Sequence, residues 1–341
     1  MTQVFSVQIY KKNRVFLQKN CMQLIWKRVY GWIAQGVKTS LKIFKIMIPV
    51  TIIVKILQET GAIVYVGDAL SPLMSWMGLP GEMGLVWASA MIGNIFAGMV
   101  AYFSISSPLT VAQISVLATI ILIAHSLPIE LAVTRKAGAK VIPLFLVRFV
   151  FGFIAGVLLF QIYNLFQWLD HDPGIINQLV LSSKNGSFGM WILTELKNYG
   201  VIFLMITALI ILLDILKKIG VIDLVNKGLH PVLKVLGIGK EVIPITVFGI
   251  TLGLAYGGGL IINEVENNQL HKRDVFYALL LMSLVHSLIE DSLLMISIGA
   301  HFSGVFIFRP LFGLLITFIF VTITKKWSEE KMNRWFYAKM N

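Results

Sequence analysis

Three ionisable residues interrupt an almost entirely apolar stretch in the last quarter of the chain. His286, Glu290 and Asp291 lie within LLMSLVHSLIEDSLLMISIG, residues 280–299. A charge at the centre of a bilayer costs roughly 2.5–3.5 kcal/mol on insertion scales. Residues of this kind are therefore rare and usually paired, and they indicate a binding site or an ion pathway.

A related cluster occurs earlier in the chain. His125 and Glu130 lie in IAHSLPIELAVTRKAG, residues 123–138, with Ser126 directly after the histidine. Because Pro128 removes one helical hydrogen bond and frees a backbone carbonyl, we expect a broken helix at this point. Carbonyls at such breaks bind cations in transporters.

The spacing within the two clusters predicts their contacts. His286 and Glu290 are four residues apart, which on a continuous helix allows a hydrogen bond between them, whereas Asp291 then points toward the other cluster. A divalent metal held by His125, His286 and Glu290 is one alternative, and a structural polar clamp is another. The expected substrate- and ion-binding residues are His125, Ser126, Glu130, His286, Ser287, Glu290 and Asp291.

The composition is that of a polytopic α-helical membrane protein. Hydrophobic residues make up 57% of the 341 residues and charged residues 13%, whereas soluble domains are nearer half apolar and a quarter charged. Apolar runs of about 20 residues match a hydrocarbon core ~30 Å thick. Cys21 is the single cysteine, which excludes internal disulfides and cysteine-rich metal sites. The absence of a nucleophile elbow, an HExxH motif or a phosphate loop argues against an enzyme.

The charge of the chain is concentrated at its start. The formal net charge is +12, and no Asp or Glu precedes Glu59. A basic, aromatic-rich segment beside a membrane span is typical of a cytoplasmic segment that lies on anionic lipid. We therefore expect residues 1–40 to bind membrane lipids, and we do not expect nucleic acid as a partner.

The sequence after the basic segment contains two similar copies. The stretch 56–83, ILQETGAIVYVGDALSPLMSWMGLPGEM, aligns with 215–242, ILKKIGVIDLVNKGLHPVLKVLGIGKEV, and the two His-Ser-Leu stretches align after them. Glycines and prolines recur in one order at nearly one offset, which chance similarity of apolar residues does not explain. The predicted organisation is a basic segment 1–40, repeat one 41–163, an external linker 164–192, repeat two 193–324 and a cytoplasmic tail 325–341.

Each repeat has the same five parts. They are a long apolar helix, an amphipathic helix bounded by glycine and proline that lies in the membrane interface, a glycine-interrupted stretch, the helix with the histidine and a last helix. About three helices of each repeat are expected to span the membrane. In repeat one they are predicted at 41–58, 61–79, 83–107, 109–133 and 141–163. In repeat two they are predicted at 193–216, 219–237, 242–262, 273–298 and 304–324.

The distribution of Lys and Arg predicts that the two repeats are inverted. The segment 58–82 has no Lys or Arg, whereas the equivalent segment of repeat two has five lysines within 217–240. Because Lys and Arg favour the cytoplasmic side, these segments lie on opposite sides, and the loops after the two histidine helices invert as well. Inverted repeats are common in secondary transporters. Both termini are expected in the cytoplasm of a bacterial cell, with the protein in its inner membrane.

The glycine-interrupted stretches are predicted to be re-entrant hairpins. A full crossing by 83–107 would contradict the charges of the loops. Arms of about ten residues reach ~15 Å, half of the hydrocarbon core. Close packing of small residues between helices is the alternative. The predicted tips contain Gly93, Asn94 and Gly98 in repeat one, and Gly253, Tyr256, Gly257, Gly258 and Gly259 in repeat two.

These features together resemble the nucleoside recognition, or Gate, domain family of membrane proteins. The residues that carry the resemblance are HSLPIELAVTRKAG (125–138), HSLIED (286–291) and LAYGGG (254–259). The resemblance implies kinship with concentrative nucleoside transporters, with the permease part of ferrous-iron transporters and with spore-maturation membrane proteins. It also implies a central substrate site formed by hairpin tips and unwound helices. The chain lacks the cysteines of the iron permease core, and the polar motifs that contact nucleosides have no match here.

We therefore expect an inner-membrane secondary transporter of a small polar solute, nucleoside-like or another small organic molecule. The expected coupling ion is a proton or Na⁺, and no cofactor is expected. A divalent metal-ion permease and a non-transporting membrane scaffold are the alternatives. Because oligomers are common among the relatives, a homo-oligomer is included among the expected partners.

Overall fold

A computed structural model of the protein describes residues 2–105, 107–174, 188–253, 262, 265 and 270–337, with side chains from residue 26 onward, except that of Leu252. These residues form α-helices, a π-helical segment and one isolated bridge between Ala139 and Tyr337, and the described part of the chain contains no strand. The predicted all-α class is confirmed.

The first half of the chain contains seven described helices. Their bounds are α1 Thr2–Glu59, α2 Ala62–Ser75, α3 Met83–Ile92, α4 Ile95–Ser104, α5 Val111–Ile123, α6 Leu127–Lys136 and α7 Val141–Leu165. The predicted boundary at residue 40 lies inside α1, which runs without interruption from the basic segment into the first apolar helix.

The second half contains described counterparts of every helix of the first half except α4, and a short additional helix. They are α8 Phe188–Lys218, α9 Val221–Val235, α10 Ile243–Leu252, α11 Lys272–Leu284, α12 Glu290–Ser297, the π-helical segment Ser303–Phe308, α13 Arg309–Thr324 and α14 Glu329–Trp335. The helices α1 and α8 occupy equivalent places in the two halves and pack against each other, with the Thr51 and Tyr199 hydroxyls 2.7 Å apart.

Among the described residues, four helical segments are long and apolar enough to cross a membrane. They are Val111–Lys136, Val141–Leu165, Phe188–Lys218 and Ser303–Thr324. Within its most apolar window, the first is 72% buried and the third is 17% buried. The helix that carries His125 is therefore at the centre of the molecule, and α8 presents most of its apolar surface outward.

A helical hairpin forms where the glycine-interrupted stretch of repeat one was predicted. Its arms α3 and α4 have ten residues each and meet at Gly93 and Asn94, whose Oδ1 accepts the Ala97 N–H at 2.9 Å. A Cβ at Gly98 would lie 2.8 Å from the Ala90 Cβ, so glycine allows the arms to approach closely. The depth of this hairpin in the lipid stays a prediction.

In repeat two, α10 is the equivalent of the first arm and ends at Gly253, which has φ +87°. The other predicted tip residues of this repeat, Tyr256, Gly257, Gly258 and Gly259, lie outside the described residues.

Both histidine helices are broken, as Pro128 predicted for repeat one. The helix α5 ends at Ile123 and α6 begins at Leu127, with Ser126 between them at φ +49°. In repeat two, Ser287 adopts φ +47° between α11 and α12. A positive φ is uncommon for residues other than glycine and occurs often at functional sites. The same conformation at both serines shows that the two breaks are equivalent.

Candidate functional site

The two breaks meet at a pair of histidines. The Nε2 atoms of His125 and His286 are 3.3 Å apart, and the centroids of the two rings are separated by 4.9 Å. Both residues are buried, with 5% and 1% of their surface exposed. The pair is therefore a contact between the two repeats, away from the lipid-facing surface.

A backbone carbonyl orients each imidazole ring. His125 Nδ1 lies 2.9 Å from the Ile121 oxygen, and His286 Nδ1 lies 3.0 Å from the Met282 oxygen. Because a carbonyl oxygen accepts hydrogen bonds and cannot donate them, each Nδ1 carries its proton. In a neutral imidazole the other nitrogen is then an acceptor. When both rings are neutral, two acceptor nitrogens therefore face each other across 3.3 Å.

Two carboxylates converge on the same point. Glu130 Oε1 lies 3.2 Å from His286 Nε2 and 3.6 Å from His125 Nε2. Asp291 Oδ2 lies 3.6 Å from His125 Nε2. The side chain of Glu130 is 9% exposed and that of Asp291 is 14% exposed, so bulk water solvates neither of them well. The site therefore gathers four acceptor atoms in a buried space.

Arg148 of α7 holds the break of repeat one in place. Its Nη1 donates to Glu130 Oε2, its Nε donates to the Ile123 carbonyl at 2.8 Å, and its Nη2 donates to the His125 carbonyl at 2.9 Å. The carbonyls of Ile123 and His125 at this break are thus bound by a guanidinium of the protein itself. The binding of a transported cation by carbonyls at the break stays a prediction.

Arg309 holds the break of repeat two in place in the same way. Its Nε donates to the Leu284 carbonyl at 3.2 Å, and its Nη2 donates to the His286 carbonyl at 2.7 Å. The same Nη2 reaches the Leu122 carbonyl of repeat one at 3.0 Å, so the guanidinium joins the two repeats. Its Nη1 is buried and has no hydrogen-bond partner among the described residues.

Glu290 lies apart from the histidines, contrary to the expectation from its spacing. The chain is broken between α11 and α12, so positions 286 and 290 do not share one helical face. Glu290 instead lines a cavity of about 390 Å³ together with Trp32 and Asp214, and no described hydrogen bond joins it to His286. The predicted His286–Glu290 contact is therefore wrong, and the acid beside His286 is Glu130 of repeat one. Asp291 points toward the other cluster, as predicted, and lies 3.6 Å from His125 Nε2.

The two serines connect the site to the hairpins through their backbones. The Ser126 N–H donates to the Ala90 carbonyl of α3 at 2.9 Å, and the Ser287 N–H points to the Gly249 carbonyl of α10 at 3.5 Å. In repeat one, the hydrogen bond between the hairpin and the break is therefore made by Ala90, before the tip residues Gly93 and Asn94. In repeat two, Gly253 packs close to Ser287, since a Cβ there would lie 3.2 Å from the serine Cβ.

The two arginines were not predicted from the sequence. Both interrupt apolar helices, which is itself a signal of function in a membrane protein. His125 and His286 are 161 residues apart, and Arg148 and Arg309 are separated by the same interval. Extending the repeat alignment beyond residue 138 would have found them.

Comparisons with known proteins agree with the membrane character of the chain. Residues 40–140 match the family model described as Gate, nucleoside recognition, which confirms the predicted resemblance for repeat one. The uncharacterized membrane protein YvoD of Bacillus subtilis (strain 168) is 26% identical over 309 residues, covering 89% of this chain and 96% of that protein. No solved structure matches the chain.

Proposed function

We propose that the chain is a membrane transporter that moves a small polar solute together with a cation. In this proposal His125, Glu130, His286 and Asp291 bind the cation. The match of residues 40–140 to the nucleoside recognition family supports a transporter-like role in a membrane. The observation that carries the proposal is the convergence of four acceptor atoms at the meeting point of two broken helices.

The electrostatics of the cluster favour a bound cation. Lone pairs on two imidazole nitrogens and on two carboxylates repel one another, and a poorly solvated environment strengthens that repulsion. Arg148 compensates Glu130 from the far oxygen, Oε2, and leaves Oε1 free toward the histidines. A proton or a metal ion among the four atoms would turn the repulsion into attraction.

The arrangement of the helices also fits transport. Secondary transporters place their ion and substrate sites at discontinuous helices near the middle of the membrane, where two inverted repeats meet. The 13 residues of α5 extend about 20 Å, which separates His125 from the end of α5 that faces the linker. The site accordingly lies deep within the helix bundle, and the cytoplasmic position of both termini is a further part of the proposal.

Two cavities are lined by residues of the two histidine helices. One, of about 510 Å³, is lined by Gln113, Asn164 and Trp168 near the start of α5. The other, of about 390 Å³, includes Glu290, the neighbour of Asp291 in the chain. Under the proposal these cavities are the approaches from the two sides, and the histidine pair separates them.

Ion flux into proteoliposomes tests the proposal with a mixture of candidate solutes. Vesicles with the purified chain receive a low-molecular-weight filtrate of a cell extract under an imposed proton or Na⁺ gradient, and internal fluorophores report both ions. We expect filtrate-dependent flux for the wild type, loss of flux for Asp291→Asn and retention of flux for the control variant Asp68→Asn, whose exposed side chain lines neither cavity. Wild-type vesicles that behave like empty vesicles would overturn the proposal.

A further inference from the structure

We infer that the cation site is built for a divalent transition metal ion, with His125, His286 and Asp291 as ligands and Glu130 as the fourth. This inference rests on the proposed cation site and names the kind of ion that it binds. The candidate ligand atoms of His125, His286 and Asp291 all lie within 4.8 Å of one another. The three residues come from both repeats, so the site exists only where the two breaks meet.

The distances match a tetrahedral metal. Metal–nitrogen bonds of about 2.0–2.1 Å at tetrahedral angles place two ligand nitrogens about 3.3–3.4 Å apart. The two histidine nitrogens are 3.3 Å apart. Glu130 Oε1 lies 3.2 Å from the His286 nitrogen and 3.6 Å from the His125 nitrogen, and Asp291 Oδ2 lies 3.6 Å from the His125 nitrogen. These three oxygen–nitrogen distances are close to the expected edges of the same tetrahedron. An ion bound to the two histidines and Glu130 would therefore have nearly tetrahedral ligand spacing. Asp291, whose ligand atom lies within 4.8 Å of that of His286, completes the set by moving closer to His286.

The surroundings of the ligands are those of a metal site. A histidine that binds a metal usually donates its other ring N–H to a carbonyl or a carboxylate, which fixes the ring and its tautomer. Both rings do so here, toward the carbonyls of Ile121 and Met282. A carboxylate ligand is usually held by a further hydrogen bond, and Arg148 provides one to Glu130 Oε2.

The mixture of donor atoms selects the class of ion. Two imidazole nitrogens with carboxylate oxygens suit Zn²⁺, Co²⁺, Fe²⁺ or Mn²⁺, whereas Mg²⁺, Ca²⁺ and Na⁺ prefer sites made of oxygen atoms. The carboxylates of Glu130 and Asp291 are already balanced in formal charge by Arg148 and Arg309. A divalent ion therefore adds net positive charge, which limits affinity and suits a site that must also release its ion.

Cobalt binding to the purified full-length chain tests the inference. The protein in detergent is treated with a chelator, passed through a desalting column and titrated with Co²⁺, whose visible absorption reports tetrahedral coordination. We expect about one ion per chain, displacement by Zn²⁺ and no displacement by Mg²⁺. Asp291→Asn and His286→Gln should weaken binding by about 100-fold or more, because losing a ligand costs at least as much as losing its supporting contact.

Two matched variants separate the site from other carboxylates and histidines. Glu290→Gln removes the neighbouring acid, and His301→Gln removes a partly buried histidine that contacts Ser303 away from the site. Both should bind cobalt like the wild type. Equal losses in the paired variants would place the metal elsewhere and overturn the inference. Gel filtration and thermal unfolding identify a variant that has lost its fold, in which case the other member of the ligand pair decides.

The outcomes distinguish this inference from the proposed function. A folded wild-type chain that binds neither Co²⁺ nor Zn²⁺, yet shows ion flux in vesicles, overturns the metal site and leaves transport with a proton or Na⁺. A chain that binds cobalt in the expected manner without any flux keeps the metal site and overturns transport.

Discussion

The breaks in the two histidine helices have the same backbone but different electrostatics. In each, an arginine 23 residues after the histidine donates to that histidine's carbonyl, and a histidine Nδ1 points to a carbonyl four residues earlier. In repeat one, the arginine also binds Glu130. In repeat two, Arg309 leaves its Nη1 without a described partner and reaches across to Leu122 instead.

The difference shows which parts of the duplicated plan are structural and which are adjustable. The guanidinium–carbonyl contacts occur in both copies, so they maintain the break itself. The carboxylate contact occurs in one copy alone among the described residues, so it is not required for a break to form. Glu130 is thus fixed by its arginine, whereas Asp291 remains available for the site.

The largest difference between the two copies is expected on removing the two arginines. Arg148→Met should lower the free energy of unfolding by about 3–5 kcal/mol, because it leaves the buried Glu130 without its partner. Arg309→Met should cost about 1–3 kcal/mol, since it removes hydrogen bonds to carbonyls and no close ion pair. Unfolding of both variants in one detergent measures the difference, and equal losses would contradict the asymmetry.

Replacement of two equivalent glycines by alanine should also lower the free energy of unfolding by unequal amounts. Gly78 and Gly237 both have positive φ, but a Cβ at Gly78 would overlap the Phe160 ring, whereas a Cβ at Gly237 has Val321 as its nearest neighbour, 3.7 Å away. We expect Gly78→Ala to cost about 2–4 kcal/mol and Gly237→Ala about 1–2 kcal/mol.

The residue equivalent to Phe160 is Val321, which provides a control. Adding Phe160→Val to Gly78→Ala should recover part of the lost thermal stability, because the smaller side chain makes room for the new methyl group. If the double variant is no more stable than Gly78→Ala, the overlap with Phe160 is not the cause of the loss.

Amide replacements of the two acids test the asymmetry at the site. Glu130→Gln should cost about 1.5–3 kcal/mol, because it weakens a charge-assisted hydrogen bond with Arg148. Asp291→Asn should change stability by less than about 1 kcal/mol, since no comparable bond to Arg309 is lost. Thermal unfolding of the chelator-treated protein measures both. A larger loss for Asp291→Asn would reverse the assignment of the fixed and the available acid.

The smallest difference is expected where the two copies are alike. Gly61 and Gly220 begin α2 and α9 with φ +70° and +79°, and no described atom lies within 4 Å of a Cβ built at either position. Replacement by Ala should cost about 1 kcal/mol at each, from backbone strain alone. Unequal unfolding midpoints would show that the environments of these two turns differ.

Much of the fold could be predicted from the sequence because its signals are local. Apolar length indicated the membrane helices, Pro128 indicated the first break, and pairs of aligned glycines have positive φ in the structure, as at Gly138 and Gly299. The orientation of the repeats in the bilayer and the depth of the hairpins depend on the lipid, and they stay predictions.

The site was harder to predict because it depends on a local departure from helical geometry. The spacing of His286 and Glu290 favoured their contact. Because the helix is broken between them, Glu290 lines a cavity instead, and the acid that contacts His286 is Glu130. The alignment already placed Glu130 opposite Asp291, 161 positions later, and this correspondence was more informative than helical periodicity. The arginines were missed because each acts from a different helix, far along the chain.

The side chain of Glu130 is one methylene group longer than that of Asp291, so it extends farther toward a guanidinium. The codons for glutamate and aspartate differ only in their third base. A single-base substitution is therefore enough to interconvert the acid that Arg148 holds in one break and the acid that remains available in the other.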